Sequence, residues 1–148
     1  PAFSGFGAPQ AQLTTPQGGK NIVCGIFLNA DAYNYRAVNC KWMAGEGSYM
    51  YDVKFSGHDK ARFFHNGQSA ANPLEKPMSI TPETHDLITR AWDNQHWSLW
   101  ITNGGGGSFR DIWTANEYSS AGLYISHTDP PGRIYGMSLE HHLRNEGQ

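Results

Sequence analysis

Charge is scarce in this chain: 16% of its 148 residues are Asp, Glu, Lys or Arg, and the formal net charge is −2. No run of Lys or Arg occurs, so the sequence offers no electrostatic footprint for nucleic acid or an acidic membrane surface, and neither is expected as a partner. No apolar stretch approaches the length of a membrane-spanning helix. The opening residues Pro1-Ala2-Phe3 lack the basic and apolar pattern of a secretion leader. Cysteine is limited to Cys24 and Cys40, without Cys-x-x-Cys spacing or a metal-ligand grouping. A disulfide between them and two buried free thiols both stay open. A sustained 3.6-residue apolar stripe is also missing, apart from a weak stretch at Thr84–Trp92, which argues against a helical bundle.

What is present is glycine, 17 residues, with 39% apolar and 13% aromatic content. That mix fits one ordered, turn-rich all-β domain with a real core. Residues 1–20 are rich in Gly, Pro, Gln and Thr without a period, and read as an extended lead-in or cap. Short apolar runs fill Asn21 to Phe55 and return from Ser98 to Leu143. Between them, residues 56–97 are polar and irregular, with Pro73, Pro77 and Pro82, and read as a lateral insert.

An internal repeat organises the rest. Leu99-Trp100-Ile101-Thr102 and Leu123-Tyr124-Ile125-Ser126 share the order aliphatic, aromatic, aliphatic, hydroxyl and lie two dozen positions apart. Ile26-Phe27-Leu28-Asn29 has nearly the same form and precedes Leu99 by close to three such steps. A second strand-like run follows each about ten positions later: Val38–Trp42, Phe109–Trp113 and Ile134–Leu139. Met50–Phe55 fits a further step. Asn29 and Asn103 take corresponding turn positions, and Gly104–Gly107 and Asp129-Pro130-Pro131-Gly132 equivalent turns. A period in the twenties with several short strands predicts a solenoid: a right-handed single-stranded parallel β-helix of five or six coils over residues 21–148. Leucine-rich repeat spacing is absent. A β-sandwich with accidental spacing is the alternative.

Few motifs carry chemistry. Gly104–Gly107 is followed by no Gly-Lys-Ser/Thr, so it is a flexible turn rather than a phosphate loop. The seven histidines contain no His-Glu-x-x-His pair; His58, His65, His85 and His96 lie in the irregular insert, most of them expected as solvated side chains, with a metal site there the weaker alternative and no cofactor expected. If Ser138–Arg144 is a strand, Leu139, His141 and Leu143 face inward while Glu140, His142 and Arg144 line the outer wall. A carboxylate beside an imidazole and a guanidinium could position water or a sugar hydroxyl; an ordinary solvated face is the plainer reading. Trp42, Trp92, Trp97, Trp100 and Trp113 are either core or platforms for sugar rings.

Asp111-Ile112-Trp113-Thr114-Ala115-Asn116, Ala121-Gly122-Leu123-Tyr124-Ile125-Ser126, Pro131-Gly132-Arg133-Ile134-Tyr135-Gly136 and Ser138-Leu139-Glu140-His141-His142, in that order, resemble one block of the family-55 glycoside hydrolases, the exo-β-1,3-glucanases of the pectate-lyase-like superfamily. The likeness covers roughly residues 109–143. It implies a β-helix, a secreted protein and inverting hydrolysis of a polysaccharide, β-1,3-glucan for preference. It implies that Glu140 is the carboxylate that orders the attacking water and that Trp113 and Thr114 lie beside the cleft; His141 and His142 match the motif without an assigned role, and the outer-wall reading adds His142 and Arg144 as candidate substrate-binding residues. After Glu-His-His this chain reads Leu-Arg-Asn-Glu where the family has Val-Leu-Tyr-Gln-Tyr, and Asn116-Glu117 replaces an Asp-His pair. The general acid of the family follows Glu-His-His by about one coil, past Gln148, so the chain is expected to behave as an inactive fragment of its parent enzyme. Two non-enzymatic alternatives are a β-helical glycan-binding or adhesion module and an unrelated β-sandwich lectin or toxin. Exposed coil ends predict self-association, unless residues 1–20 cap the first coil.

Overall fold

The computed structural model describes residues 8–30, 36–57, 95–115, 119–140, 142 and 145–147. Among these residues the chain is all-β, with nine strands and no helix: β1 (Gln10–Thr14), β2 (Ile22–Asn29), β3 (Ala37–Trp42), β4 (Tyr49–Ser56), β5 (Trp97–Ile101), β6 (Gly107–Ala115), β7 (Ala121–Ile125), β8 (Gly132–Ser138) and β9 (Asn145–Gly147). They form two sheets, ordered β1-β3-β5-β7-β9 and β2-β4-β6-β8. Every pairing is parallel. Consecutive strands therefore alternate between sheets, and each pairs with the strand two places on. Tight hairpins cannot join parallel neighbours; a long connection is required, and here it carries a strand of the other sheet.

Register gives the spacing. Leu99 pairs with Leu123 and Trp100 with Tyr124, so the expected step holds there. The offset is 24 for these pairs and again from Ala121 to Asn145, 25 from Gly107 to Gly132, and 27 from Gln10 to Ala37 and Ile22 to Tyr49. From Val38 to Trp97 and Tyr49 to Ser108 it lengthens to 59. The extra length falls between β4 and β5, where the polar insert was expected; residues 58–94, with Trp92, His58, His65 and His85, lie outside the described residues.

Three expectations need correction. Ile26–Asn29 does not stack with Leu99: it belongs to β2 of the four-stranded sheet, where Ile26 pairs with Val53 and Val53 with Ile112. Val38–Trp42 is not a second strand of the repeat but the direct neighbour of β5, with Cys40 opposite Leu99. The near-match three steps upstream of Leu99 is a coincidence of composition, because strands of both sheets bury aliphatic side chains. Asn29, opposite Ser56, is likewise not the counterpart of Asn103. Within the lead-in, Gln10–Thr14 is a strand of the five-stranded sheet.

The sheets share one core. Cys40, Trp42, Leu99, Ile101 and Leu123 from one meet Met50, Val53, Phe55, Phe109 and Ile112 from the other. Trp42 stands edge-on to Phe109, centroids 5.5 Å apart, and donates its indole N–H to the Gly106 carbonyl at 2.8 Å. Burial of each large side chain stabilises the fold by about 1.5–3 kcal/mol. The inward rows end at Ile125 and Ile134, which remain 46% and 44% exposed beside an apolar recess of about 210 Å³.

Gly104–Gly107 is a turn, but a tightly packed one. Gly106 N–H donates to the Ala44 carbonyl and Gly107 N–H to that of Pro131, tying three successive turns together. A side chain at Gly105 would strike the Trp42 carbonyl, and one at Gly107 the Ser48 backbone. The expected equivalence with Asp129–Gly132 holds, since Gly107 pairs with Gly132. The cysteines are neither bonded nor both buried: Cys24 is exposed on β2 and Cys40 buried on β3.

Candidate functional site

Gly25, Asp52, Asp111 and Gly136 all have positive φ, between 50° and 70°. Their neighbours are register partners: Cys24 with Tyr51, Tyr51 with Arg110, Arg110 with Tyr135. The four residues thus occupy one column across the four-stranded sheet. Only Gly, Asp and Asn enter this conformation at little cost. Its effect is to turn two successive side chains outward before alternation resumes. On β4, Met50 and Val53 are buried while Tyr51 and Asp52 are exposed; on β6, Phe109 and Ile112 are buried while Arg110 and Asp111 are exposed. Because every strand carries the same extra outward residue, register is kept, unlike in a bulge against a regular partner.

The outer face of this sheet is therefore built of stacked rows. Phe27, Lys54, Trp113 and Ser138 form one. The Lys54 ammonium lies 4.1 Å from the Trp113 ring centroid and 5.5 Å from that of Phe27, a cation held between two aromatic faces. Trp113 is 44% exposed, and its neighbour on the far side is the small Ser138. Cys24, Tyr51, Arg110 and Tyr135 form a second row, with the Arg110 guanidinium 5.8 Å from the Tyr51 ring.

At the end of the first row stands Glu140. Its Oε1 accepts from Trp113 Nε1 at 3.3 Å and from Ser138 Oγ at 2.8 Å, so the carboxylate is exposed yet oriented. Its backbone N–H donates to Thr114 Oγ1 at 2.8 Å. Thr114, wholly buried, also meets His142 Nε2 at 2.8 Å, and His142 Nδ1 meets Ser119 Oγ at 2.7 Å. Ser119 donates to the Ala121 carbonyl, which leaves its oxygen to accept from Nδ1–H. Nε2 shares a proton with the Thr114 hydroxyl, which also lies 3.5 Å from the Ser138 carbonyl. This chain of bonds connects β6, the segment before β7 and the segment after β8, and it fixes where Glu140 stands.

Four of the five residues singled out from the sequence thus come together: Trp113 and Glu140 at the surface, with Thr114 and His142 behind them. Arg144 lies outside the described residues, as do His141 and Leu143. The expected strand over Ser138–Arg144 ends at Ser138, the last residue of β8, so alternation does not govern Glu140 and His142. His96, expected in solvent, is buried and packs on Trp97 at 5.1 Å. Ser119, Ser138 and Lys54 were not found from sequence. Aligning β8 one step after β6, and β4 before it across the insert, would have placed Ser138 and Lys54 beside Trp113.

Among the described residues, charge on this face is balanced. Lys54, Arg110 and Arg133 offset Asp52, Asp111 and Glu140. A face so balanced exerts no net attraction on a polyanion. Among the described residues no group of His, Cys, Asp or Glu side chains is arranged to hold a metal ion. Compared with family models, with curated proteins and with solved structures, the chain matches none.

Proposed function

We propose that the two sheets wind as coils of a right-handed parallel β-helix, and that the outer face of the four-stranded sheet binds a neutral polysaccharide, β-1,3-glucan for preference. The alternation of strands between two parallel sheets, at a nearly constant register offset outside the insert, supports the winding. The observation that carries the binding is Trp113: a half-exposed indole held by Lys54 on one face and by Glu140 at its N–H, next to a small residue. A pre-oriented aromatic plane with a carboxylate at its edge suits a pyranose, which offers an apolar face and a rim of hydroxyls.

Hydrolysis is the further part of this reading and rests on the likeness to family-55 enzymes, which makes Glu140 the water-ordering carboxylate of a secreted, inverting glucanase. Inversion needs a second carboxyl group about 6.5–9.5 Å away to protonate the leaving oxygen. The hydrogen bonds of Glu140 run to an indole and a hydroxyl, and the half-exposed indole beside the carboxylate is what supports binding.

Titration of tryptophan fluorescence with soluble β-1,3-glucan tests the reading. Saturable binding, weakened tenfold or more by Trp113→Ala, is expected, with no release of reducing sugar. Absence of binding, or equal affinity in Trp113→Ala, would refute it. Robust sugar release abolished by Glu140→Gln would make this chain a complete hydrolase instead.

A further inference from the structure

A second concavity lies on the same outer face, one row from Trp113. Tyr49, Ser108, Arg110, Asp111, Tyr135 and Gly136 line a cleft of about 550 Å³. The column of left-handed residues creates it. Where β4 and β6 carry Asp52 and Asp111, β8 carries Gly136, and the missing side chain opens the floor beside Asp111. Even a Cβ at Gly136 would come within 3.0 Å of Asp111 Oδ1.

The groups around that opening are matched to one kind of ligand. Arg110 Nε holds Asp111 Oδ2 at 3.3 Å, with both side chains more than half exposed. The remaining guanidinium N–H groups and the second carboxylate oxygen set donors beside acceptors. A sugar hydroxyl is both donor and acceptor, so neighbouring hydroxyls can engage the pair without disrupting it. The pair is neutral overall, which disfavours a phosphate or a uronate. Tyr135, 54% exposed, provides an apolar wall, and the Tyr49 and Tyr51 rings stack on the other side at 6.0 Å and 12°. Arg110 and Trp113 are three residues apart on β6, at most about 10 Å along a strand. A glycan of three or four sugars spans that interval.

We propose that this cleft is a second pyranose subsite, lying on the same glycan path as Trp113 and binding a neutral sugar residue through Arg110, Asp111 and Tyr135. The inference rests on the glycan-binding reading and extends it: affinity must grow with chain length, and the growth must depend on the cleft.

Isothermal titration with the β-1,3-linked glucose disaccharide and pentasaccharide separates the two ideas. In the unaltered chain the pentasaccharide binds at least tenfold more tightly than the disaccharide. Tyr135→Ala and Arg110→Gln each shrink that ratio at least fivefold, whereas Trp113→Ala weakens both ligands. Both cleft residues are exposed, and a far-ultraviolet circular dichroism melt confirms folding. An unchanged ratio in both folded cleft variants overturns the subsite while leaving Trp113 as a binding site. No binding of either sugar overturns the glycan reading and the subsite with it.

Discussion

Thr114 Oγ1 and His142 Nε2 lie 2.8 Å apart, joining the buried side of β6 to the segment that follows β8. The same hydroxyl receives the Glu140 backbone N–H, so one side chain sets the position of the surface carboxylate. Thr114→Val keeps the shape and removes both bonds, with the longer contact to the Ser138 carbonyl. Leaving buried polar partners unmatched costs about 1–3 kcal/mol. Urea denaturation of Thr114→Val should show a loss in that range, and Thr114→Ser should recover most of it. If Thr114 also positions Glu140, Thr114→Val weakens glucan binding at a denaturant concentration where it remains folded.

The left-handed column yields a prediction independent of any ligand. Asp111 has φ near 52°, a conformation open to Asn but costly for branched side chains. Asp111→Asn should leave thermal stability nearly unchanged. Asp111→Val should cost about 1–2 kcal/mol for the backbone alone, a fall of roughly 2–8 °C in Tm for a domain of this size. Equal melting of the two variants would mean that the bend is not required.

Two glycines of one turn separate backbone strain from packing. Gly104 and Gly107 both have positive φ, 84° and 102°. A Cβ at Gly104 meets nothing within 4 Å, but at Gly107 it would collide with the Ser48 backbone. Gly104→Ala should cost about 1–2 kcal/mol, from conformation alone. Gly107→Ala adds a displaced backbone and should cost about 3 kcal/mol or more. Denaturant midpoints of the two variants give the comparison directly.

Much of the fold was legible because strands that lie side by side must repeat their buried chemistry. Leu99 and Leu123 are neighbours, as are Trp100 and Tyr124, and the shared pattern betrayed their spacing. The same signal misled at Ile26, because inward rows of either sheet look alike and only the register tells them apart. Alternation is also interrupted at Asp52 and Asp111, where a left-handed residue shifts the inward set by one. At the site, Trp113, Thr114, Glu140 and His142 were singled out together, and the first two lie just before Ala115 at the end of β6 while the others follow β8, one step later in the chain. The cleft at Arg110 was not. It depends on Gly136 standing across from Asp111, a relation set by the register of β6 against β8 rather than by any local motif.

Cys40 gives the chain an alkaline limit. Burial pushes its thiol from 9.0 up to about 12, because the core around Leu99 cannot solvate a thiolate. In the unfolded chain the thiol ionises near its ordinary value, so between about pH 9 and pH 12 the unfolded state holds fewer protons than the folded one. Stability contributed by the protonated thiol is complete below about pH 9 and is lost as pH rises toward 12, at about 1.4 kcal/mol per pH unit. Urea midpoints measured from pH 8 to pH 11 should fall accordingly, and Cys40→Ala, though less stable at pH 8 for want of packing, should show a flatter slope. Cys24, exposed on β2, is the thiol that a disulfide reagent reaches in the native protein. One equivalent should react before unfolding and the second only with it; rapid modification of both at neutral pH would place Cys40 outside the core.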